Sequence, residues 1–160
     1  LFGASDQFFC RFASIAQLSP FLPLIGGGKT KFAPIYVGDV AKAIVKALEL
    51  NNSEPKIYEL GGPKNYSFKE LMEILLTEIK KKRLLIPISF GSAKFLSYCC
   101  LQVLPGPLKI TPDQIEILKQ NNVVSGQYPT LKNLGITGTS LESILPKYIY
   151  RFRTGGEFNR

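Results

Sequence analysis

The sequence predicts a mixed α/β fold with few strands, and three observations carry that prediction. The opening LFGASDQFF reads as the last residues of a strand turning into a helix, an apolar pair and a glycine followed by Ser5 and Asp6 before a run of aromatic residues. Residues 40–48 place Val40, Ala41, Ile44, Val45 and Leu48 on one helical face, with Lys42, Lys46 and Glu49 outside it. Capping boxes at Ser67 with Glu70, Thr111 with Gln114 and Thr139 with Glu142 announce further helices.

In chain order, Phe8, Phe9, Phe12, Ile15 and Ala16 recur at helical spacing between Asp6 and Gln17, and Ser19-Pro20 ends that helix. IGGGKTKFAPIYV then reads as two short strands around a Gly26-Gly27-Gly28-Lys29 hairpin turn, because glycines supply the positive φ a tight reversal needs. Pro34 marks the second run as an edge strand or a bulge. Asp39 is the expected N-cap of the amphipathic helix that follows. NNSEP ends that helix, and KIYELGG reads as a short strand entering a glycine turn.

Ser67 opens the next helix, whose buried stripe is Phe68, Leu71, Met72, Leu75, Leu76 and Ile79, with Tyr66 placed to staple against Leu71. Lys80, Lys81, Lys82 and Arg83 crowd its C-terminal end, where the helix dipole favours cations. RLLIPIS is a strand-like run, and FGSAKFLSYCCLQVL is apolar nearly all round apart from Lys94 and Gln102, a buried or lipid-facing helix. Pro105-Gly106-Pro107 breaks it, and Thr111 with Pro112 starts another. The helix opened by Thr139 should kink or end at Pro146.

Composition narrows the chemistry. The 160 residues hold no histidine, which removes the commonest general base and every Ser-His or Cys-His pair. Three cysteines without a C-x-x-C spacing make neither a disulfide framework nor a zinc or redox site, so a reducing compartment and no metal are expected. No apolar run is long enough to span a bilayer, and residue 1 onward shows no signal-peptide pattern. A formal charge of +8 favours an acidic partner or simple solubility.

GGGK invites a phosphate-loop reading and fails it, since Pro23 stands where the pattern needs glycine and a strand-like run follows where it needs a helix. Cys99 and Cys100 lie in an apolar run with no base nearby, so packing is expected of them. The tail KYIYRFR interleaves Lys147, Arg151 and Arg153 with aromatic residues. With residues 90–104 it forms an expected docking surface for a membrane or a large partner.

Three blocks, LFGASDQFFCRFA, PLIGGGKTKFAPIYVGDVAKAIVKALE and KIYELGGPKNYSFKELMEILL, occur in an order and spacing that resemble the C-terminal half of the extended or atypical short-chain dehydrogenase/reductases, the NAD-dependent epimerase superfamily. The likeness is closest to the nucleotide-binding accessory subunit of respiratory complex I and its bacterial relatives. It implies a fold class of α/β, the C-terminal part of a Rossmann-type domain with its small substrate-side subdomain, with the N-terminal nucleotide-binding half absent. Residues 1–60 would be late Rossmann strands and helices, and residues 61–160 a mostly helical subdomain.

By the same resemblance, Leu1, Phe2 and Gly3 border the cofactor, and Phe8, Phe9 and Arg11 match the substrate-pocket region. No catalytic residue is carried over, because the family's glycine-rich loop and Tyr-x-x-x-Lys pair would lie upstream. NADP(H) or NAD(H) would be held by the full-length parent, with no tight binding to this chain alone. The expected function is a nucleotide-binding accessory or assembly subunit of NADH:ubiquinone oxidoreductase. The alternatives are a sugar-nucleotide epimerase, dehydratase or reductase, and a basic lipid- or nucleic-acid-binding module. Expected partners are complex I subunits or a membrane surface, with self-association and without nucleic acid. The location would be peripheral, on the matrix side of a mitochondrial membrane or the cytoplasmic side of a bacterial one.

Overall fold

A computed structural model describes residues 1–50, 57–100 and 112–153. Six helices and four short strands follow in order: α1 (Gln7–Leu18), β1 (Phe21–Ile25), β2 (Lys31–Phe32), α2 (Val37–Glu49), β3 (Tyr66–Ser67), α3 (Phe68–Glu78), β4 (Leu84–Ile88), α4 (Phe90–Cys100), α5 (Pro112–Ile117) and α6 (Leu141–Ile149). The expected few-stranded α/β architecture is present, with every expected helix in its place. β1 runs parallel to β4, with Phe21 opposite Leu84 and Ile25 opposite Ile88, while β2 pairs antiparallel with β3. Phe2 makes an isolated parallel bridge to Tyr36, its N–H donating to the Ile35 carbonyl at 2.9 Å and its own carbonyl accepting from Val37 at 3.0 Å.

The largest core is built where α1, α3 and α6 meet. Phe9, Phe12 and Ala16 from α1, Leu71 and Leu75 from α3, and Leu145 and Ile149 from α6 bury their side chains there. It draws on residues from both sides of position 60. Ser67 caps α3 with the expected reciprocal box, and Tyr66 and Leu71 are both buried in this core, as the staple requires. The cations after α3 are used: Arg83 donates from Nε to the Ala16 carbonyl at 2.7 Å, and Lys81 donates to the Gln17 side chain. Smaller cores join Ile25 and Ala93 to Ile115, and Ile35 and Ala43 to Leu131 and Leu134.

Several local expectations are corrected. The glycine turn is no hairpin: Gly26, Gly27 and Gly28 do take positive φ of 64°, 68° and 71°, but they lead from β1 to β2, strands of different sheets. A Cβ on Gly28 would lie 2.9 Å from Lys69 Cβ, so the turn is pressed against the start of α3. Pro34 falls beyond β2, and residues 57–62 form no strand; Glu59 donates its N–H to the Pro129 carbonyl at 2.8 Å, and its carboxylate accepts from the Ser125 N–H at 2.7 Å. Tyr36, not Asp39, is the N-cap of α2; Asp39 sits inside the first turn. Ser140, not Thr139, precedes α6, and Glu142 accepts from the Tyr66 hydroxyl at 2.6 Å in place of closing a box. Pro146 lies within α6 and does not end it, since burial of Leu145, Tyr148 and Ile149 holds the last turn despite the lost backbone bond.

The apolar stripe of α2 is exposed, with Ile44 56% and Leu48 75% accessible, while Asp39 and Ala43 are its buried residues. α4 buries Ala93 and Ser97 and exposes Phe95, Leu96 and Tyr98. The expected cap at Thr111, the break at residues 105–107 and the end of α2 at residues 51–55 lie outside the described residues, as do the side chains of Cys99 and Cys100. No described helix is long and apolar enough to cross a membrane.

Candidate functional site

The site begins at Asp6, whose carboxylate caps α1 by accepting from the Phe8 N–H at 2.7 Å and the Phe9 N–H at 3.2 Å. The Tyr148 hydroxyl of α6 donates to the same carboxylate at 3.0 Å, tying the helix start to the core. Burial pushes the Asp6 pKa above the ordinary carboxylate value against the pull of these three hydrogen bonds, and burial with the neighbouring Asp6 charge raises that of Tyr148.

With its first turn held, α1 turns Phe8 and Phe12, one helical turn apart, toward the segment after the glycine turn. Phe8 lies 5.2 Å from Phe12, 6.2 Å from Phe32 and 6.1 Å from Phe68, centroid to centroid. The far wall is laced in place by polar bonds. The buried Thr30 hydroxyl donates to the Leu118 carbonyl, Lys31 N–H donates to Asn121 Oδ1 at 2.9 Å, and Ala33 N–H donates to the Asn122 carbonyl at 2.8 Å.

Between these walls lie two adjoining cavities. One, of about 270 Å³, is bounded by Phe8, Arg11, Phe12, Ile25, Phe32 and Leu118, with Gln7 and Ile117 at its rim. The other, of about 200 Å³, shares Phe8 and Phe32 and adds Leu1, Phe2, Phe9 and Asn122. Apolar side chains dominate both, and among the described residues no carboxylate lines either. The arrangement suits binding of an apolar group, and the described lining residues include no nucleophile or acid–base pair.

Leu1 and Phe2 therefore come together with Phe8 and Phe9 around one cavity, although Phe9 is almost wholly buried, and Arg11 joins Phe8 around the other. Gly3 lines neither; its carbonyl accepts from the Asp6 N–H at 3.0 Å. Two of the three expected docking residues, Arg151 and Arg153, are engaged within the fold. Arg153 donates to the Glu78 carbonyl at 2.7 Å and pairs with its carboxylate at 3.1 Å, while Arg151 reaches the Cys10 sulfur at 3.0 Å and stacks over Phe152; Lys147 is exposed. Sequence reasoning missed Phe32, Thr30 and residues 118–122, whose roles depend on contacts about ninety residues apart. The one sequence signal was an aromatic residue four positions after the last glycine of a turn.

Asp39 is completely buried. It accepts from Thr139 N–H at 2.6 Å and from Lys42 Nζ at 3.2 Å, and these bonds hold its carboxyl below the ordinary range although burial alone would raise it. It pins the start of α2 to the segment before α6. Among the described residues no group of three His, Cys, Asp or Glu side chains is placed to hold a metal ion.

No family model matches the chain. It is 34% identical over 164 residues to the NADH dehydrogenase (ubiquinone) 1 alpha subcomplex subunit 9, mitochondrial, of Arabidopsis thaliana, covering 98% of this chain and 41% of that protein. It is 25% identical to the NADH-ubiquinone oxidoreductase 40 kDa subunit, mitochondrial, of Neurospora crassa, again covering 99% of this chain and 41% of the relative. The chain thus spans less than half the length of the curated relatives it matches. Among solved structures, the triphenylmethane reductase of Citrobacter sp. complexed with NADP(H) superposes with a TM-score of 0.64 at 20% identity, over 90% of this chain and 50% of that one. That likeness establishes a shared Rossmann-type reductase fold.

Proposed function

The chain is a homologue of the mitochondrial NADH dehydrogenase subunits with which it aligns over nearly its whole length, and from that premise we propose that its parent protein is a nucleotide-binding accessory or assembly subunit of an NADH:ubiquinone oxidoreductase. The observation that carries this reading is the 34% identity across 98% of the chain. The NADP(H) complex of the structural neighbour supports NADP(H) as the nucleotide. Its partners would be other subunits of that complex, and because the relatives named are mitochondrial, the matrix side of the membrane is favoured.

The residues present fit one end of a dinucleotide. Leu1 and Phe2 line one cavity with Phe8 and Phe9 and would offer an apolar rim to a flat ring, and on this reading Phe8, Phe9 and Arg11 would face the substrate. The pyrophosphate and ribose need a glycine-rich turn at a helix N-terminus and an acidic partner, and Gly26–Gly28 opens onto β2 and not onto a helix. On this reading those contacts come from the part of the relatives' length that this chain does not cover. When bound, the nucleotide would supply a hydride donor or a structural plug; this chain's part is to hold the rim in place through the Asp6 and Thr30 bonds.

The test is native electrophoresis of mitochondrial membranes carrying the tagged intact protein, with acid-released nucleotide measured in the purified material. Migration with NADH dehydrogenase activity and retained NADP(H) are expected. A protein that migrates alone and turns over NADPH with a sugar nucleotide would replace this reading with the epimerase-type one.

A further inference from the structure

We propose that the corner where the end of α1 meets the start of β4 docks on an anionic lipid surface, with Leu18, Phe21 and Leu84 entering the headgroup layer and Lys80, Lys82 and Arg83 meeting the lipid phosphates. This rests on the reading of the parent as a membrane-peripheral protein and gives it the surface that faces the bilayer. Three apolar side chains stand out at this corner: Leu18 is 65% accessible, Phe21 48% and Leu84 62%. They belong to one place in the fold. Phe21 and Leu84 are register partners on the parallel strands β1 and β4, so their side chains leave the same face of the sheet. The Leu84 N–H donates to the carbonyl of Pro20, two residues on from Leu18, at 3.0 Å.

Charge complementarity names the occupant. The run after α3 is tied to the end of α1, because Lys81 donates to the Gln17 side chain and Arg83 Nε donates to the Ala16 carbonyl at 2.7 Å. Both bonds go to neutral groups, and Lys80 and Lys82 are exposed. Among the described residues, none of Lys80, Lys81, Lys82 and Arg83 pairs with a carboxylate, and the acid just before them in sequence, Glu78, is taken by Arg153 at 3.1 Å. The end of the α3 dipole offsets only about half an elementary charge of this cluster. Desolvation and the neighbouring Arg83 charge lower the Lys81 pKa, as crowding of like charges requires. An apolar tip ringed by uncompensated cations is the pattern of a bilayer-surface contact. Nucleic acid needs flat rings on which bases stack, and here two of the three exposed apolar side chains are leucines.

Co-sedimentation of the intact protein with vesicles of phosphatidylcholine alone, and of phosphatidylcholine with an equal part of phosphatidylglycerol, tests this. Binding to the mixed vesicles and far weaker binding to phosphatidylcholine are expected. Each cation held at an anionic surface contributes about fivefold in affinity, so Lys80→Gln with Lys82→Gln should weaken mixed-vesicle binding roughly tenfold to thirtyfold. Leu18→Ser with Leu84→Ser, both at well-exposed positions, should weaken it as well. Lys29→Gln with Lys132→Gln removes the same charge from exposed positions elsewhere and should change it little. No binding to mixed vesicles, equal binding to both kinds, or equal loss in the two lysine pairs would overturn the proposal. Leucine substitutions without effect, together with competition by duplex DNA at the same affinity, would assign the corner to nucleic acid and overturn it too. Migration with NADH dehydrogenase without vesicle binding would sink the docking surface alone, whereas vesicle binding by a protein that migrates alone would sink the accessory-subunit reading alone.

Discussion

Helices α2 and α3 carry the same kind of amphipathic pattern and meet opposite fates. Phe68, Leu71, Met72 and Leu75 of α3 are buried between α1 and α6, whereas Ile44, Val45 and Leu48 of α2 face outward. What α2 buries is Ala43 and the carboxylate of Asp39. Apolar periodicity thus specifies that a helix forms and which face seeks cover. Whether that face is covered depends on what else the polypeptide brings to it, and this chain spans less than half of its relatives' length.

The largest effect that would break this contrast is in the α3 core. Leu75→Ala should cost roughly 2–5 kcal/mol in urea unfolding of the 160-residue chain, while Leu48→Ala should stay within about 0.5 kcal/mol. Comparable losses would show that the α2 face is covered within this chain, and a larger Leu48→Ala loss in the intact protein would show that the remainder covers it.

Next comes the buried carboxylate. Asp39→Ala leaves the Thr139 N–H without its acceptor, for a cost of about 1–3 kcal/mol. Because its folded-state pKa lies below the unfolded value near 3.9, Asp39 adds stability above that pH and loses it as pH falls through the lowered folded value. Asp39→Asn should flatten this part of the acid-unfolding curve. Asp6 has the opposite sign: its raised folded-state pKa means that ionisation costs stability, recovered as pH falls through the raised value. Acid titrations of Asp39→Asn and Asp6→Asn that moved the same way would contradict the assigned environments.

Tyr148→Phe removes the hydroxyl that joins α6 to the cap of α1, and about 0.5–1.5 kcal/mol of lost stability is expected from thermal unfolding. Smallest is Arg153→Gln. Its pair with Glu78 is only partly buried, so a loss of about 0.2–1 kcal/mol is expected; a greater one would make the α6 tail a structural clamp and not a surface.

Much of this fold is readable locally. Asp6 before an aromatic helix, the Ser67 and Glu70 box, and the LLIPI strand each declare themselves within a few residues, and the structure follows them. The failures share one cause. Asp39 precedes an apolar run as an N-cap would, but its partner Thr139 is 100 positions away. Glu142 sits where a capping box needs it and is drawn instead to Tyr66. Of the candidate site, the spacing of Phe8 and Phe12 on α1 was legible, whereas a pocket role for Phe8 and Arg11 came only with the family resemblance. The opposing wall was not, because Thr30, Phe32 and Leu118 acquire their roles only through contacts between distant segments.

The most direct test of the account is a calorimetric titration of NADPH into the 160-residue chain beside the nucleotide-stripped intact protein. If this chain supplies only the apolar rim around Leu1 and Phe2, the intact protein should bind tightly and the chain should give no tight binding. Micromolar binding by the 160 residues alone would contradict it, because the pyrophosphate and ribose contacts would then have to lie within this chain.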